Sequence, residues 1–217
     1  MGAVVEREIE LPRIADSSRA RVCIGVLALQ GDFQKHLQTL GKISSADAHP
    51  VRTSQEIEEC DGLIIPGGES TTVGKLMARC GLDRAIKRRH AEGMAVFGTC
   101  TGMILLAKEI EGSDQHRLGL MDVTVRRNAF GRQVDSFEAD LSVPSVCDDT
   151  IRAVFIRAPI VTKVGSEVQA LATLDTGEVV MVRQGNCLAA AFHPELTEDT
   201  RIHEYFALLA ADASPAS

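Results

Sequence analysis

An apolar run, Ala95-Val96-Phe97, stops at Gly98-Thr99-Cys100-Thr101-Gly102 and resumes at Met103. Ala95 to Phe97 read as the end of a buried strand and Met103 to Ala107 as an apolar helix face, so the residues between must form a sharp turn. The spacing is that of the G-x-S-x-G nucleophile elbow with sulfur in place of oxygen. Its glycines permit torsions and close approaches that a Cβ would block. Such a turn puts Cys100 at the sheet edge and at a helix start, where the helix dipole and free N–H groups favour the thiolate. A buried core cysteine beside a turn is the ordinary alternative.

A strand that enters a helix so abruptly belongs to an α/β fold, and the rest of the text agrees. Val22 to Leu29 is a β-rich apolar run of the kind buried on both faces of a parallel sheet. Gln30-Gly31-Asp32 ends it, and Phe33, Leu37 and Leu40 fall on one side of a helix. Polar residues follow, with a short strand near Val51. Leu63-Ile64-Ile65 is a second buried strand, followed by Pro66-Gly67-Gly68-Glu69-Ser70-Thr71-Thr72 and a helix through Leu76 and Met77, capped by Ser70 or Thr71. Gly74-Lys75 imitates a phosphate-binding P-loop, but Glu69 stands where its first glycine belongs and Leu76 where Ser or Thr must follow the lysine. A helix from Leu82 to His90 leads into the Cys100 strand.

These units predict a doubly wound, mostly parallel sheet flanked by helices, with ligands at the carboxyl ends of the strands, where Gly67-Gly68 and Cys100 fall. From Leu120 onward Val123 and Val125 alternate with polar residues, then come Phe137 and Ala153 to Ile156, which reads as a small antiparallel β insertion. Val179 to Val182 and Leu188 to Phe192 flank Gln184-Gly185-Asn186 as a β-hairpin. A final amphipathic helix, Thr200 to Leu209, covers the sheet.

The 217 residues suffice for one domain with a substantial core. The expected division is a flexible extension at 1–20, one domain at 21–211 and a short flexible tail at 212–217. A net charge of -7, no Trp and one Tyr leave neither a basic footprint nor stacking platforms, against a nucleic-acid partner. The apolar run at Val22 is too short for a membrane span. Glu6, Glu8 and Glu10 occupy the place of a signal peptide. Cysteines 23, 60, 80, 100, 147 and 187 contain no C-x-x-C pair, so neither a metal site nor a redox couple is expected and a cytoplasmic location fits.

At the end of the last strand stands Phe192-His193-Pro194-Glu195. In an extended segment residues two apart share a face, so Glu195 can lie beside His193, and Pro194 biases His193 toward that conformation. A carboxylate that orients an imidazole beside a nucleophile is the logic of a catalytic triad. Taken alone, the tripeptide reads more readily as a surface turn, and it is its place at a strand end after the Gly98-Thr99-Cys100-Thr101-Gly102 elbow that favours the catalytic reading.

Gly98-Thr99-Cys100 together with His193-Pro194-Glu195 resembles the class I glutamine amidotransferases. Within them, Leu27 to Gly31, Pro66 to Thr71, Arg127-Asn128-Ala129-Phe130-Gly131-Arg132-Gln133, Ser136-Phe137-Glu138 and Phe155-Ile156-Arg157-Ala158-Pro159 resemble the glutaminase subunits of pyridoxal 5'-phosphate synthase. The resemblance implies that Cys100 is the nucleophile, His193 the base and Glu195 its orienting group, with no cofactor. It implies that Gly68, Glu69, Ser70, Arg127, Ile156 and Arg157 hold L-glutamine. Arg127 or Arg157 would meet its carboxylate, Glu69 its ammonium, and backbone N–H groups of Gly67, Gly68 and Thr101 would form an oxyanion hole. The implied partner is an ammonia-accepting synthase subunit. Thr101 departs from the family's usual Ala, Lys35 from Glu before the histidine, and Arg126 from Glu. The glutaminase of imidazole glycerol phosphate synthase and a non-catalytic binding partner of the same fold are the alternatives, the first disfavoured by the Arg127 and Phe155 stretches and the second by the intact Cys100, His193 and Glu195.

Overall fold

The computed structural model describes residues 21–129 and 136–213. The chain runs β1 (Val22–Leu27), α1 (Phe33–Leu40), β2 (Ala46–Val51), α2 (Ser54–Glu58), β3 (Gly62–Ile65), α3 (Ser70–Cys80), α4 (Leu82–Ala91), β4 (Ala95–Thr99), α5 (Thr101–Leu106), β5 (Ala107–Ile110) and β6 (Met121–Arg126). It continues through β7 (Ser136–Leu141), β8 (Ile151–Ile156), β9 (Ile160–Val164), β10 (Gln169–Thr173), β11 (Val179–Gln184), β12 (Cys187–Ala190), a 3-10 turn at Pro194–Leu196 and α6 (Arg201–Ala213). The main sheet has the order β2-β1-β3-β4-β12-β11-β9-β6-β5, with β10 on β11. From β2 through β12 every neighbouring pair is parallel.

The strands at the centre of that parallel part are apolar because both faces are covered. Every residue of β3, β4 and β12 is buried. Successive side chains of a strand point to opposite faces, and in β4 this decides where the helices go. Phe97 packs on Phe206 of α6, ring centroids 5.5 Å apart, while Gly98 lies against Gly102 and Leu106 of α5. Helices α1 and α6 pack together on the Phe97 side, and α3 and α5 on the Gly98 side.

The expected small antiparallel insertion is present, although not all the strands read into it belong to it. Strands β6, β9, β10 and β11 extend the main sheet, and only β7 and β8 form a separate two-stranded sheet. Alternation predicts that a strand is half buried and says nothing of which sheet it joins. The small sheet docks through Phe155, whose ring meets Phe192 at 5.7 Å. The last strand stops at Ala190 rather than Phe192, and α6 runs through Asp212 and Ala213, past the boundary expected at 211. The helix start after Gly68 is capped by Glu69, not by Ser70 or Thr71. The expected extension at 1–20, residues 214–217 and Phe130 to Gln133 lie outside the described residues.

A Cβ on Gly102 would stand 2.1 Å from the carbonyl oxygen of Ile65, and one on Gly98 would stand 2.4 Å from the Gly102 carbonyl carbon. The glycines of the elbow are therefore needed for contact between α5 and the sheet. Gly102→Ala should shift α5 off β3 and lower the unfolding free energy by about 1–3 kcal/mol or more. Urea unfolding checks this, and an unchanged midpoint would show that the contact is not tight.

Candidate active site

Strand β4 delivers the chain to Thr99, α5 begins at Thr101, and Cys100 between them has φ 49° and ψ -101°. A non-glycine residue there costs on the order of 1–3 kcal/mol and persists only when its surroundings hold it. The Cys100 N–H donates to the Ala190 carbonyl at 2.8 Å and its carbonyl accepts from the Ile104 N–H at 3.4 Å. The thiol is 8% exposed and its Sγ donates to the Ile156 carbonyl at 3.8 Å.

His193 arrives from the neighbouring strand β12, and its N–H is fixed by the Val154 carbonyl of β8 at 2.8 Å. The expected extended His-Pro-Glu segment is replaced by the 3-10 turn with Pro194 at its start. That turn folds Glu195 back so that its Oε1 lies 2.7 Å from His193 Nδ1. With Nδ1 occupied, Nε2 is left free to serve Cys100, which lines the same pocket and helps to hold the charged imidazole. Gly67 supports the ring from the side: a Cβ there would stand 2.4 Å from His193 Cε1.

Burial opposes a charged imidazole at His193, but the hydrogen bonds and charges of Cys100 and Glu195 outweigh it and push His193 up to about 10. Burial would likewise raise Glu195, which is 3% exposed, yet His36 and His193 together hold its carboxyl well below the usual range. His36 Nε2 is 3.3 Å from Glu195 Oε2, an ion-pair distance without good hydrogen-bond alignment, and 3.2 Å from Thr99 Oγ1. Its Nδ1 is 2.9 Å from Nε2 of the buried His203. Burial, then the proximity of His36, pushes His203 down to about 3, so it is neutral. The contact joins the two rings, so that His203 fixes the orientation in which His36 Nε2 faces Glu195. A line of polar groups thus runs from Cys100 through His193, Glu195 and His36 to His203. Sequence reasoning missed His36 and His203, whose signal was only a histidine on each of two amphipathic helices.

Cys100 and His193 open on a pocket of about 340 Å³ lined also by Gln30, Gly68, Glu69, Ser70, Thr101, Ile104, Arg127, Asn128, Ile156 and Arg157. The structure therefore gathers all the side chains expected from the sequence to hold a ligand. Gln30, Ile104 and Asn128 are additions. The non-glycine residues with positive φ among those described are Cys100, Asn128 and Arg157, and all three line this pocket. Strain concentrated at one cavity marks a functional site. A second cleft of about 490 Å³, bounded by Ser54, Glu58, Arg84 and Arg88, is lined by neither cysteine nor histidine.

Gln115, outside the pocket lining, ties two of the pocket's loops together. Its Oε1 accepts from Arg127 Nη1 at 2.7 Å, Ser70 Oγ at 3.2 Å and Thr71 Oγ1 at 3.3 Å. The Thr72 hydroxyl at 2.7 Å, with the N–H groups of Thr71 and Thr72 at 3.0 and 2.7 Å, donates to the Glu69 carboxylate, and together they pull it down to about 2. The peptide between Gly68 and Glu69 is held at both ends: Thr101 Oγ1 donates to the Gly68 carbonyl at 2.5 Å and the Glu69 N–H donates to Gln30 Oε1 at 2.8 Å. The bulk that Thr101 adds beside the cysteine is thus turned away from the thiol and buried. Among the described residues, the metal-ligating side chains gathered closely enough to share an ion are Cys23, His49 and Cys60, none of which lines this pocket.

The model of the SNO glutamine amidotransferase family matches residues 26–210. A relative from Carboxydothermus hydrogenoformans, described as pyridoxal 5'-phosphate synthase subunit PdxT, is 55% identical over 183 residues, 84% of this chain and 95% of its own. One of the same description from Rhodococcus opacus is 52% identical over 194 residues, covering 86% and 96%. A solved glutamine amidotransferase superposes with a TM-score of 0.82 at 50% identity, over 87% of this chain and 98% of the other. A putative GMP synthase protein from Thermoplasma acidophilum shares the fold, with a TM-score of 0.65 at 16% identity over 89% and 96%.

The neutral, buried His203 gives a test of this geometry. Its folded pKa, about 3, lies below the unfolded value near 6.5, so between these the unfolded chain binds the extra proton. Its contribution to stability is complete above pH 6.5 and is lost as pH falls toward 3. His193, shifted upward, adds no slope below 6.5. From pH 6.5 to 5 the unfolding free energy should fall by up to about 1.4 kcal/mol per unit, and His203→Phe should flatten that slope. Equal slopes in both proteins would show that His203 is protonated in the fold.

Proposed function

The chain belongs to the SNO glutamine amidotransferase family, and from that membership we propose that it hydrolyses L-glutamine to L-glutamate and ammonia through a thioester on Cys100. The observation that carries this reading is that Cys100 and His193 line one pocket while Glu195, buried behind it, is hydrogen-bonded to His193. Cys100 Sγ attacks the side-chain amide carbon, and the carbonyl oxygen gathers the negative charge. His193 takes the thiol proton and gives it to the departing ammonia. Water, deprotonated by the same imidazole, then attacks the thioester and releases glutamate. Glu195 holds the ring in the one tautomer that serves both steps. No cofactor enters this sequence.

We assign the oxyanion donors to the backbone N–H groups of Gly67, Gly68 and Thr101, and the holding of glutamine to Gly68, Glu69, Ser70, Arg127, Ile156 and Arg157. Glu69, ionised by its helix-capping bonds, suits the ammonium. Arg127, fixed by Gln115, suits the carboxylate and Arg157 can share it. Ammonia released into water is protonated and lost, so an acceptor site must be close. We infer that this acceptor lies on another chain. The relatives' description as a subunit of pyridoxal 5'-phosphate synthase supports placing that acceptor on another subunit of the same synthase. We place the complex in the cytoplasm, where a reducing milieu keeps Cys100 a thiol.

Cys100→Ala should abolish glutamate release with the far-UV circular dichroism unchanged, and His193→Ala should be nearly as damaging. Glu195→Gln should retain more activity, because an orienting group contributes less than the proton carrier. Wild-type rates in the His193 variant would remove it from the reaction.

The isolated chain should hydrolyse glutamine slowly, and the synthase subunit should raise the rate constant by about 10²–10³, the worth of one oxyanion donor brought into place. Glutamate release with and without saturating synthase subunit decides this. An unchanged rate would refute activation by the partner and leave the triad assignment standing.

A further inference from the structure

Far from the pocket, toward the amino ends of the strands, a second set of reactive side chains converges. In the parallel register of β1 and β2, Gly25 is paired with His49, and Cys23, two residues before Gly25, shares its face. Cys60 approaches from the turn between α2 and β3. A Cβ on Gly25 would stand 2.6 Å from Cys60 Sγ, so the glycine leaves the space into which that thiol reaches. His49 Nδ1 is 3.8 Å from Cys23 Sγ and His49 Nε2 is 3.7 Å from Cys60 Sγ. One ligand atom from each residue can be chosen so that all lie within 4.8 Å of one another.

We propose that Cys23, His49 and Cys60 bind a zinc ion that staples β1, the edge strand β2 and the entry to β3. Two thiolates and an imidazole form a soft donor set that favours zinc over harder cations. Tetrahedral zinc, with bonds of about 2.3 Å to sulfur and about 2.0–2.1 Å to nitrogen, spaces its ligand atoms roughly 3.5–3.8 Å apart. Each sulfur already lies at about that distance from one or the other ring nitrogen, and a turn of the His49 ring would bring a single nitrogen to both sulfurs, the ligand atoms all lying within 4.8 Å at the outset. Asp61, Asp47 and Glu59 surround Cys23 with negative charge. Arg21 offsets Asp47 at 2.8 Å, and Arg89 is engaged with the Cys60 carbonyl at 3.0 Å.

Without the ion, the Cys60 S–H donates to the Glu56 carbonyl at 3.2 Å. On binding, two S–H bonds break, both protons leave to solvent, and two Zn–S bonds and one Zn–N bond form, with no change of oxidation state. The Cys23 and His49 side chains are half-buried, so a water molecule can reach the fourth position. Because the cluster lies away from Cys100, the ion should act on stability and not on hydrolysis.

The test uses the full chain carrying Cys100→Ala, so that the pocket thiol does not compete. After dialysis against a chelator, calorimetric titration with zinc should give one equivalent bound per chain, and the melting temperature should rise. Cobalt(II) should give the near-ultraviolet sulfur-to-metal charge-transfer band of thiolate ligation. Adding Cys23→Ser or His49→Gln, both half-buried positions, should weaken binding at least 10-fold and remove the thermal shift. In the protein with Cys100 intact, Cys23→Ser should leave the glutaminase rate unchanged. Zinc binding of equal strength in the His49→Gln chain, no binding at all, or a Cys23–Cys60 disulfide in freshly purified protein would each overturn the proposal.

Discussion

The hydrogen bond between Glu195 Oε1 and His193 Nδ1 joins two parts of the molecule that have different reasons for their shape. Glu195 is buried, and a buried carboxylate persists only where partners replace its lost water. His193 supplies one partner and His36 the other, and His36 is in turn oriented by His203. The position of the imidazole beside Cys100 is thereby set by helices α1 and α6, which lie on the sheet face opposite α5. Packing of Phe97 on Phe206 therefore bears on the orientation of a proton carrier near the far side of the sheet.

A second constraint comes from the backbone. Cys100, Asn128 and Arg157 each hold a positive φ without being glycine, and each borders the same cavity. The small β7–β8 sheet helps to maintain this strain. Its Val154 carbonyl fixes His193, its Ile156 carbonyl faces Cys100, and Arg157 follows directly. The insertion thus reads as the wall that closes the pocket and not as an independent module.

Much of this was legible in the text of the chain. The apolar runs of β1, β3 and β4 are unmistakable because strands covered on both faces cannot alternate. Gly98 and Gly102 on either side of Cys100 announce the elbow, although the glycines serve contact between α5 and the sheet and the strained torsion belongs to the cysteine. The pairing of Glu195 with His193 was also readable, but for the wrong local reason, since a 3-10 turn and not an extended segment joins them. Helix α2 carries a capping box from Thr53 to Glu56 that could have been read. His36, His203 and Gln115 could not, because a polar residue on an amphipathic helix or in a loop gives no sign of what it meets in space. The same holds for Cys23, His49 and Cys60, whose spacing follows no ligand motif and which are joined only by the register of parallel strands.

Glu195 and the Cys100 sulfur, once its proton has passed to the ring, together stabilise the charged form of His193 against its burial. Nitrogen-15 chemical shifts of the His193 ring, followed through a pH titration of the intact chain, test it directly. The account predicts that both ring nitrogens stay protonated well above pH 6.5, and that Glu195→Gln moves the midpoint down. A midpoint at or below 6.5 in the unaltered protein, unchanged by Glu195→Gln, would contradict it.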